Sequence, residues 1–144
     1  MNSATFPPIF DGHNDVLSLQ HRSGPEALAK FSSGNSAHID LPKSLAGGFG
    51  GGFFAIYVPS PEDFSDYNQK MQQPTYDVPL PAPVAQADAA PVVLEQVKIL
   101  RDLEAQGALK VCTEVVEIRD CLDAGKMAAI MHIEGAEGID TDLD

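Results

Sequence analysis

The sequence predicts a parallel α/β fold, and three observations carry that expectation. Three short apolar runs stand at 6–10, 53–58 and 127–133, and the second and third lack the alternation of a half-exposed strand, which suits strands covered on both faces. Helical spacing fills the chain between the second and third runs, so the order reads as successive β–α units. The first and third runs each lead directly into a polar motif, at the strand end where parallel α/β folds assemble their sites.

The first strand is expected over Phe6 to Phe10, led in by Pro7-Pro8 and closed by Asp11-Gly12. A short helix follows over about Val16 to His21. The second strand, Phe53 to Val58, is stopped by Pro59. Prolines at 59, 61, 74, 79, 81, 83 and 91 then rule out a central strand or an uninterrupted helix, leaving a Pro-rich connection over 59–91. Connections of that length are often functional loops or lids. Val93, Val97, Leu100 and Leu103 form one helical stripe, with Pro91 in the first turn and Gly107 past the end. A shorter helix runs from about Val115 to Ala124, capped by Thr113 and stopped by Gly125, before the third strand, Met127 to Ile133.

At 144 residues and 15.3 kDa the chain is the size of one domain. It carries 21 acids against 9 bases, a formal charge of -12 concentrated in the second half, which argues against nucleic acid or an anionic membrane surface as partner. No run approaches the roughly 20 apolar residues of a membrane span, and the first residues lack the basic-then-apolar order of a signal peptide. Cys112 and Cys121 have no C-x-x-C spacing and suit small apolar positions, so reduced thiols and a cytoplasmic setting are expected. The closing acidic run, Asp140 to Asp144, reads as solvated surface.

Two motifs are candidates for chemistry. His13 and Asp15 are two positions apart after a strand, so an extended backbone projects both to one side, and imidazole beside carboxylate suits a borderline cation such as zinc. The alternative is a polar turn in which Asp15 caps the following helix. Glu134 stands at the end of the third run, where a carboxylate is costly to bury unless it meets a cation or a donor, and its two oxygens can bridge two metals. His132 shares its parity and reads as a packed or supporting histidine rather than a ligand. The glycines at 47–52 match no phosphate-loop pattern and precede a strand, so they read as close backbone packing or a flexible lead-in. His21 and His38 lie in polar stretches expected to be exposed, Asp40 reads as a turn residue, and Tyr57 as packing at a strand end.

Asp11-Gly12-His13-Asn14-Asp15, then Ile39-Asp40-Leu41-Pro42 with Gly47-Gly48 and the run Phe53 to Pro59, then Gly125 to Ile130 with Glu134-Gly135, together resemble the membrane (renal) dipeptidase family through nearly the whole chain. The resemblance implies a zinc-dependent dipeptidase built on a (β/α)8 TIM-type barrel with a binuclear site. His13 and Asp15 match the ligands of one zinc, and Glu134 matches the bridging glutamate. It also implies a dipeptide substrate, in many members with a D-residue at the C-terminal position.

A barrel of that kind needs about 250 residues. The resemblance therefore makes residues 1–144 the N-terminal part of a single barrel domain, about its first three strands. The family's remaining zinc ligands and substrate-binding residues come from later strands, so the segment is expected to be inactive alone. Two other readings stand beside this one. The first is a free-standing acidic α/β binding module without catalysis. The second is another barrel-type metal hydrolase, which the H-x-D in place of H-x-H disfavours. A homo-oligomer is open.

Overall fold

The computed structural model describes residues 7–60 and 65–143. Phe6, Pro61 and Asp144, which enter the expectations above, lie outside the described residues. A four-stranded, all-parallel sheet in the order β1-β2-β4-β3 organises the chain. Its strands are β1 (Ile9–Asn14), β2 (Phe49–Tyr57), β3 (Lys110–Val111) and β4 (Ala128–Glu134). The helices are α1 (Val16–Ser23), α2 (Glu26–Ser33), α3 (Leu41–Gly47), α4 (Ser65–Met71), α5 (Gln86–Ala105) and α6 (Val115–Asp123).

The parallel α/β class follows the expectation, with five differences, one of them that β2 begins at Phe49, so Gly50 to Gly52 lie inside the strand and not ahead of it. The first strand runs past Phe10 to Asn14, so the polar motif lies within the strand and not after it. A two-residue strand, β3, adds a fourth member at the sheet edge; it is too short to leave an apolar run. Two helices, α2 and α3, occupy the stretch between β1 and β2 that periodicity left unassigned. Helix α5 begins at Gln86 and carries Pro91 inside it, so the Pro-rich connection ends earlier than 91. Proline there costs one intrahelical bond and leaves both flanking stretches helical.

The core forms where α1, α2 and α5 pack on one face of the sheet. Leu17, Phe31, Phe54, Ile56, Leu100 and Leu103 are fully buried there. Strand parity explains the choice: 54 and 56 of β2 lie beside 131 and 133 of β4, while 53, 55 and 57 lie beside 130, 132 and 134 on the opposite face. That opposite face is less covered than both-sided burial would demand, and Phe53 and Ile130 remain partly exposed on it. The glycine track is close packing, as one of its two readings holds. A Cβ on Gly51 would overlap the carbonyl of Ala128, and one on Gly52 would stand 2.8 Å from both Cβ and O of Asp11. Only glycine lets β1, β2 and β4 approach this closely at these positions.

Local chemistry sets the remaining ends. Asp40 is not a plain turn residue. It is buried at the N-cap of α3, where it accepts from Lys43 N (2.8 Å), Asn35 N (2.9 Å) and Lys43 Nζ (2.5 Å). Those three donors hold its carboxyl at about 2, below the ordinary 3.8. The cap of α6 is Glu114 in place of Thr113, and the Glu117 carboxylate gathers the amides of both, at 3.3 and 2.8 Å. Gly107 and Gly125 take positive φ just past α5 and α6, as expected of helix stops. Cys112 and Cys121 are buried with their sulfurs 3.9 Å apart, and burial together with Cys121 pushes the Cys112 thiol up to about 11.

Candidate metal centre

His13 and Asp15 flank the point where β1 gives way to α1. Between Asp11 and Asn14 the register of β1 against β2 slips, a bulge that re-aims the strand as it ends. Asn14 fixes this turn from inside. It is buried, donates to Asp11 Oδ2 (3.1 Å), and its Oδ1 accepts from Val16 N (3.4 Å). Asp15 occupies the N-cap position of α1 with φ -99° and ψ 25°, yet its side chain makes no capping bond. That backbone region is sparsely used and frequent among active-site residues. The polar-turn reading of Asp15 thus fails in its main point, because the carboxylate turns away from the helix it precedes.

The side chain turns to His13, whose Nε2 lies 3.5 Å from Asp15 Oδ1 and 3.4 Å from Glu134 Oε2. The three ligand atoms all fall within 4.8 Å of one another, although Glu134 arrives from β4, the far end of the sequence. Both spacings are long for N–H···O bonds. They match a tetrahedral edge: with donors about 2.0–2.2 Å from zinc, neighbouring donors stand about 3.4 Å apart. One imidazole and two carboxylates, each about half exposed, also form a hard-to-borderline donor set suited to a divalent cation. The residues present fit such an ion, and the described residues contain no other cluster of this kind.

Aromatic edges support the trio from below. His132 meets His13 edge to face at 5.8 Å between ring centroids, and Phe53 meets His132 at 6.0 Å and Phe10 at 6.2 Å. His132 is therefore a packed neighbour of a trio member, as its parity with Glu134 suggested, and lies outside the ligand set. His38 is exposed as expected, whereas His21 is half-buried and pairs through Nδ1 with Glu95 Oε2 at 3.2 Å, tying α1 to α5.

A residue that sequence reasoning missed holds the other side of the site. Gln96 of α5 is fully buried; its Oε1 accepts from Tyr57 N (3.1 Å) and its Nε2 donates to Tyr57 O (2.6 Å). Both backbone groups of a strand residue point to the same edge, so the amide fills the place of a neighbouring strand where β2 has run past the last pairing of β1, at Asn14 and Phe54. Tyr57 is in register with Glu134, so this clamp steadies the strand end that carries the third member of the trio. The available signal was a glutamine on the stripe of Val93, Val97 and Leu100.

The parallel α/β sheet thus places a candidate divalent-cation donor set at the carboxyl ends of its strands, the end at which such folds assemble their sites. Residues 4–144 match the membrane dipeptidase family (peptidase family M19), and the chain belongs to that family. A metallopeptidase from Rhodobacter sphaeroides, liganded with a phosphinate mimic of the dipeptide L-Ala-D-Ala, superposes with a TM-score of 0.88 at 41% identity. The match covers 96% of this chain and 41% of that one. A second structure, a dipeptidase of the same family, gives 0.87 at 42% identity over 96% of this chain and 40% of its own.

Among curated proteins, the "uncharacterized protein in PQQ-III 3'region" of Acinetobacter calcoaceticus is 32% identical over 140 residues, 95% of this chain and 43% of that protein. Dipeptidase verJ of Clonostachys rogersoniana is 28% identical over 134 residues, 92% of this chain and 32% of that protein. The chain thus spans about two fifths or less of the length of these relatives. The family's structures are TIM-type barrels, and this chain holds the N-terminal part of that fold. No helix among the described residues is long and apolar enough to cross a membrane.

Proposed function

We propose that His13, Asp15 and Glu134 are the share this chain contributes to a binuclear zinc centre that hydrolyses dipeptides, with a D-residue accepted at the C-terminal position. The observation that carries the reading is the trio itself. Three donors from opposite ends of the sequence converge within 4.8 Å of one another, with both distances from His13 at the edge of a coordination tetrahedron, in a chain whose family relatives include dipeptidases. Zinc in such a site lowers the pKa of bound water and polarises a scissile carbonyl. His13 and Asp15 hold one side of the site, and the two oxygens of Glu134 allow it to face two ions. His132, itself backed by Phe53, packs edge to face against the His13 ring and limits its orientation. The mimic bound by the Rhodobacter sphaeroides relative supports the substrate class, since a phosphinate carries the tetrahedral geometry of water added to a peptide carbonyl.

Three ligands make an incomplete binuclear site, so residues 1–144 alone bind zinc without turning over dipeptides. Zinc titration followed by scanning calorimetry tests the reading. At a hundredfold excess over Kd, zinc bound only to the folded chain adds about 2.7 kcal/mol, or about 8 °C in Tm for a chain of this length. The rise is absent from His13→Ala. A zinc-independent Tm, or a rise that survives His13→Ala, refutes the trio as a metal site and favours a binding module without catalysis.

A further inference from the structure

A cleft of about 960 Å³ begins at His13 and Asp15 and runs between α1, α2 and the connection that follows α2. Its lining is unusual for a chain of net charge -12. Arg22 and Lys30 both line it, and among the described residues neither holds an ion pair, which is also true of Lys70, Arg119 and Lys126 outside the cleft, whereas Lys43, Lys98, Arg101 and Lys110 each hold a carboxylate. Two acids share the cleft, Asp15 and Glu26. Asp15 belongs to the metal trio, so the remaining wall carries two fixed cations against one anion.

Deeper in, Gln20 lines the same cleft while only 4% exposed, and its Oε1 has no hydrogen-bond partner. A buried amide oxygen without a partner forfeits its solvation, so it marks a place that a polar ligand would stabilise. A half-turn about its last bond exchanges oxygen for amino group, so the amide can accept from a ligand N–H or donate to its oxygen.

We propose that this cleft is the side-chain subsite of the dipeptide and selects an acidic residue, with the substrate carboxylate held by Arg22 and Lys30 and a polar edge of the same residue meeting Gln20. The proposal rests on the dipeptidase reading, because a peptide bond presented to the trio places a flanking side chain at the mouth of the cleft. Charge-assisted bonds to two otherwise unpaired cations discriminate a glutamyl side chain from its isosteric amide more sharply than shape can.

The test is calorimetric titration of the chain, with and without zinc, using four probes: Glu-Ala, Ala-Glu, Gln-Ala and Ala-Gln. One acidic peptide is expected to bind at least tenfold tighter than its amide counterpart. That ratio should fall below twofold in the Arg22→Gln/Lys30→Gln variant, and should shrink in 0.5 M salt. Both substituted residues are exposed, so circular dichroism should report an unchanged fold. Equal binding of acid and amide, no binding of any probe, or a preference that survives the double substitution overturns the subsite. Failure of the metal reading looks different: zinc leaves Tm unchanged while the acid preference persists in the zinc-free chain.

Discussion

Replacing Gln96 by leucine removes the amide that closes the end of β2 while keeping a side chain of similar bulk. Two backbone groups lose their partners, the Tyr57 N–H and C=O, which Gln96 meets at 3.1 and 2.6 Å. A buried group left unpaired costs about 1–3 kcal/mol, and Tyr57 is only partly buried, so the lower half of that range applies to each. Their sum is about 2–4 kcal/mol, reduced to about 2–3 kcal/mol by the apolar surface that leucine buries more comfortably than an amide. For a chain of 144 residues this lowers Tm by about 6–10 °C. Urea unfolding followed by circular dichroism reads the loss as a lower midpoint at unchanged slope. A zinc titration on the same variant should show weaker binding, since Tyr57 is in register with Glu134. Gln96→Glu should be worse than leucine, because one carboxylate oxygen would face the Tyr57 carbonyl where an N–H now donates. A leucine variant within about 0.5 kcal/mol of the parent would refute the clamp.

Other outcomes follow from single groups. Asp40, held at about 2 in the fold against an ordinary 3.8, contributes stability that is fully present above about pH 4 and lost as pH falls toward 2. Tm measured across that window should fall, and Asp40→Asn should flatten the fall while lowering Tm at neutral pH. Glu134→Gln keeps size and hydrogen bonding but removes the charge, so equilibrium dialysis should show zinc affinity reduced at least tenfold with little change in the unfolding midpoint of the zinc-free chain. Gly51→Ala drives a Cβ into the Ala128 carbonyl and should cost more than about 3 kcal/mol, read as loss of soluble folded protein or a steep drop in Tm. Cys112 and Cys121 should react with a thiol reagent at neutral pH only when denaturant is added, because both are buried and the Cys112 thiol ionises near 11.

The parallel sheet was legible because β2 and β4 are long, apolar and bounded by proline and glycine. The candidate trio that the structure brings together was legible for a related reason: His13, Asp15 and Glu134 are polar residues at strand ends, where nothing but chemistry or capping calls for them. Asp15 shows how little separates those two explanations in sequence, since it does occupy the capping position and only its side-chain direction decides. Helices α2 and α3 were missed because their apolar faces are short, with Ala27 and Phe31 the buried pair of α2 and Ser44 the one buried residue of α3. Strand β3 was missed because two residues cannot display a period. Gln96 was passed over because a glutamine on an apolar stripe looks like an exception, when its partner is a stretch of backbone that no side-chain pattern reveals. The start of α5 was misplaced because Pro91 is favoured at a first turn but tolerated further in.

Strand β4 leans on β2 along its whole length but touches β3 only at Ala128 and Ala129. From Ile130 onward its outer margin has no strand beside it among the described residues, so the outward-pointing amides there form a bare row of donors and acceptors. The segment Ala128 to Ile133 carries no formal charge, contains no proline, and leaves Ile133 44% exposed. Such a margin is a template onto which any extended chain can add. At high concentration, self-association should begin here, with Glu134 the charge that directly closes the apolar segment, in the manner of a gatekeeper. Glu134 thus has a second physical consequence: neutralising it removes a carboxylate from the candidate trio and, with it, repulsion between neighbouring copies stacked edge to edge.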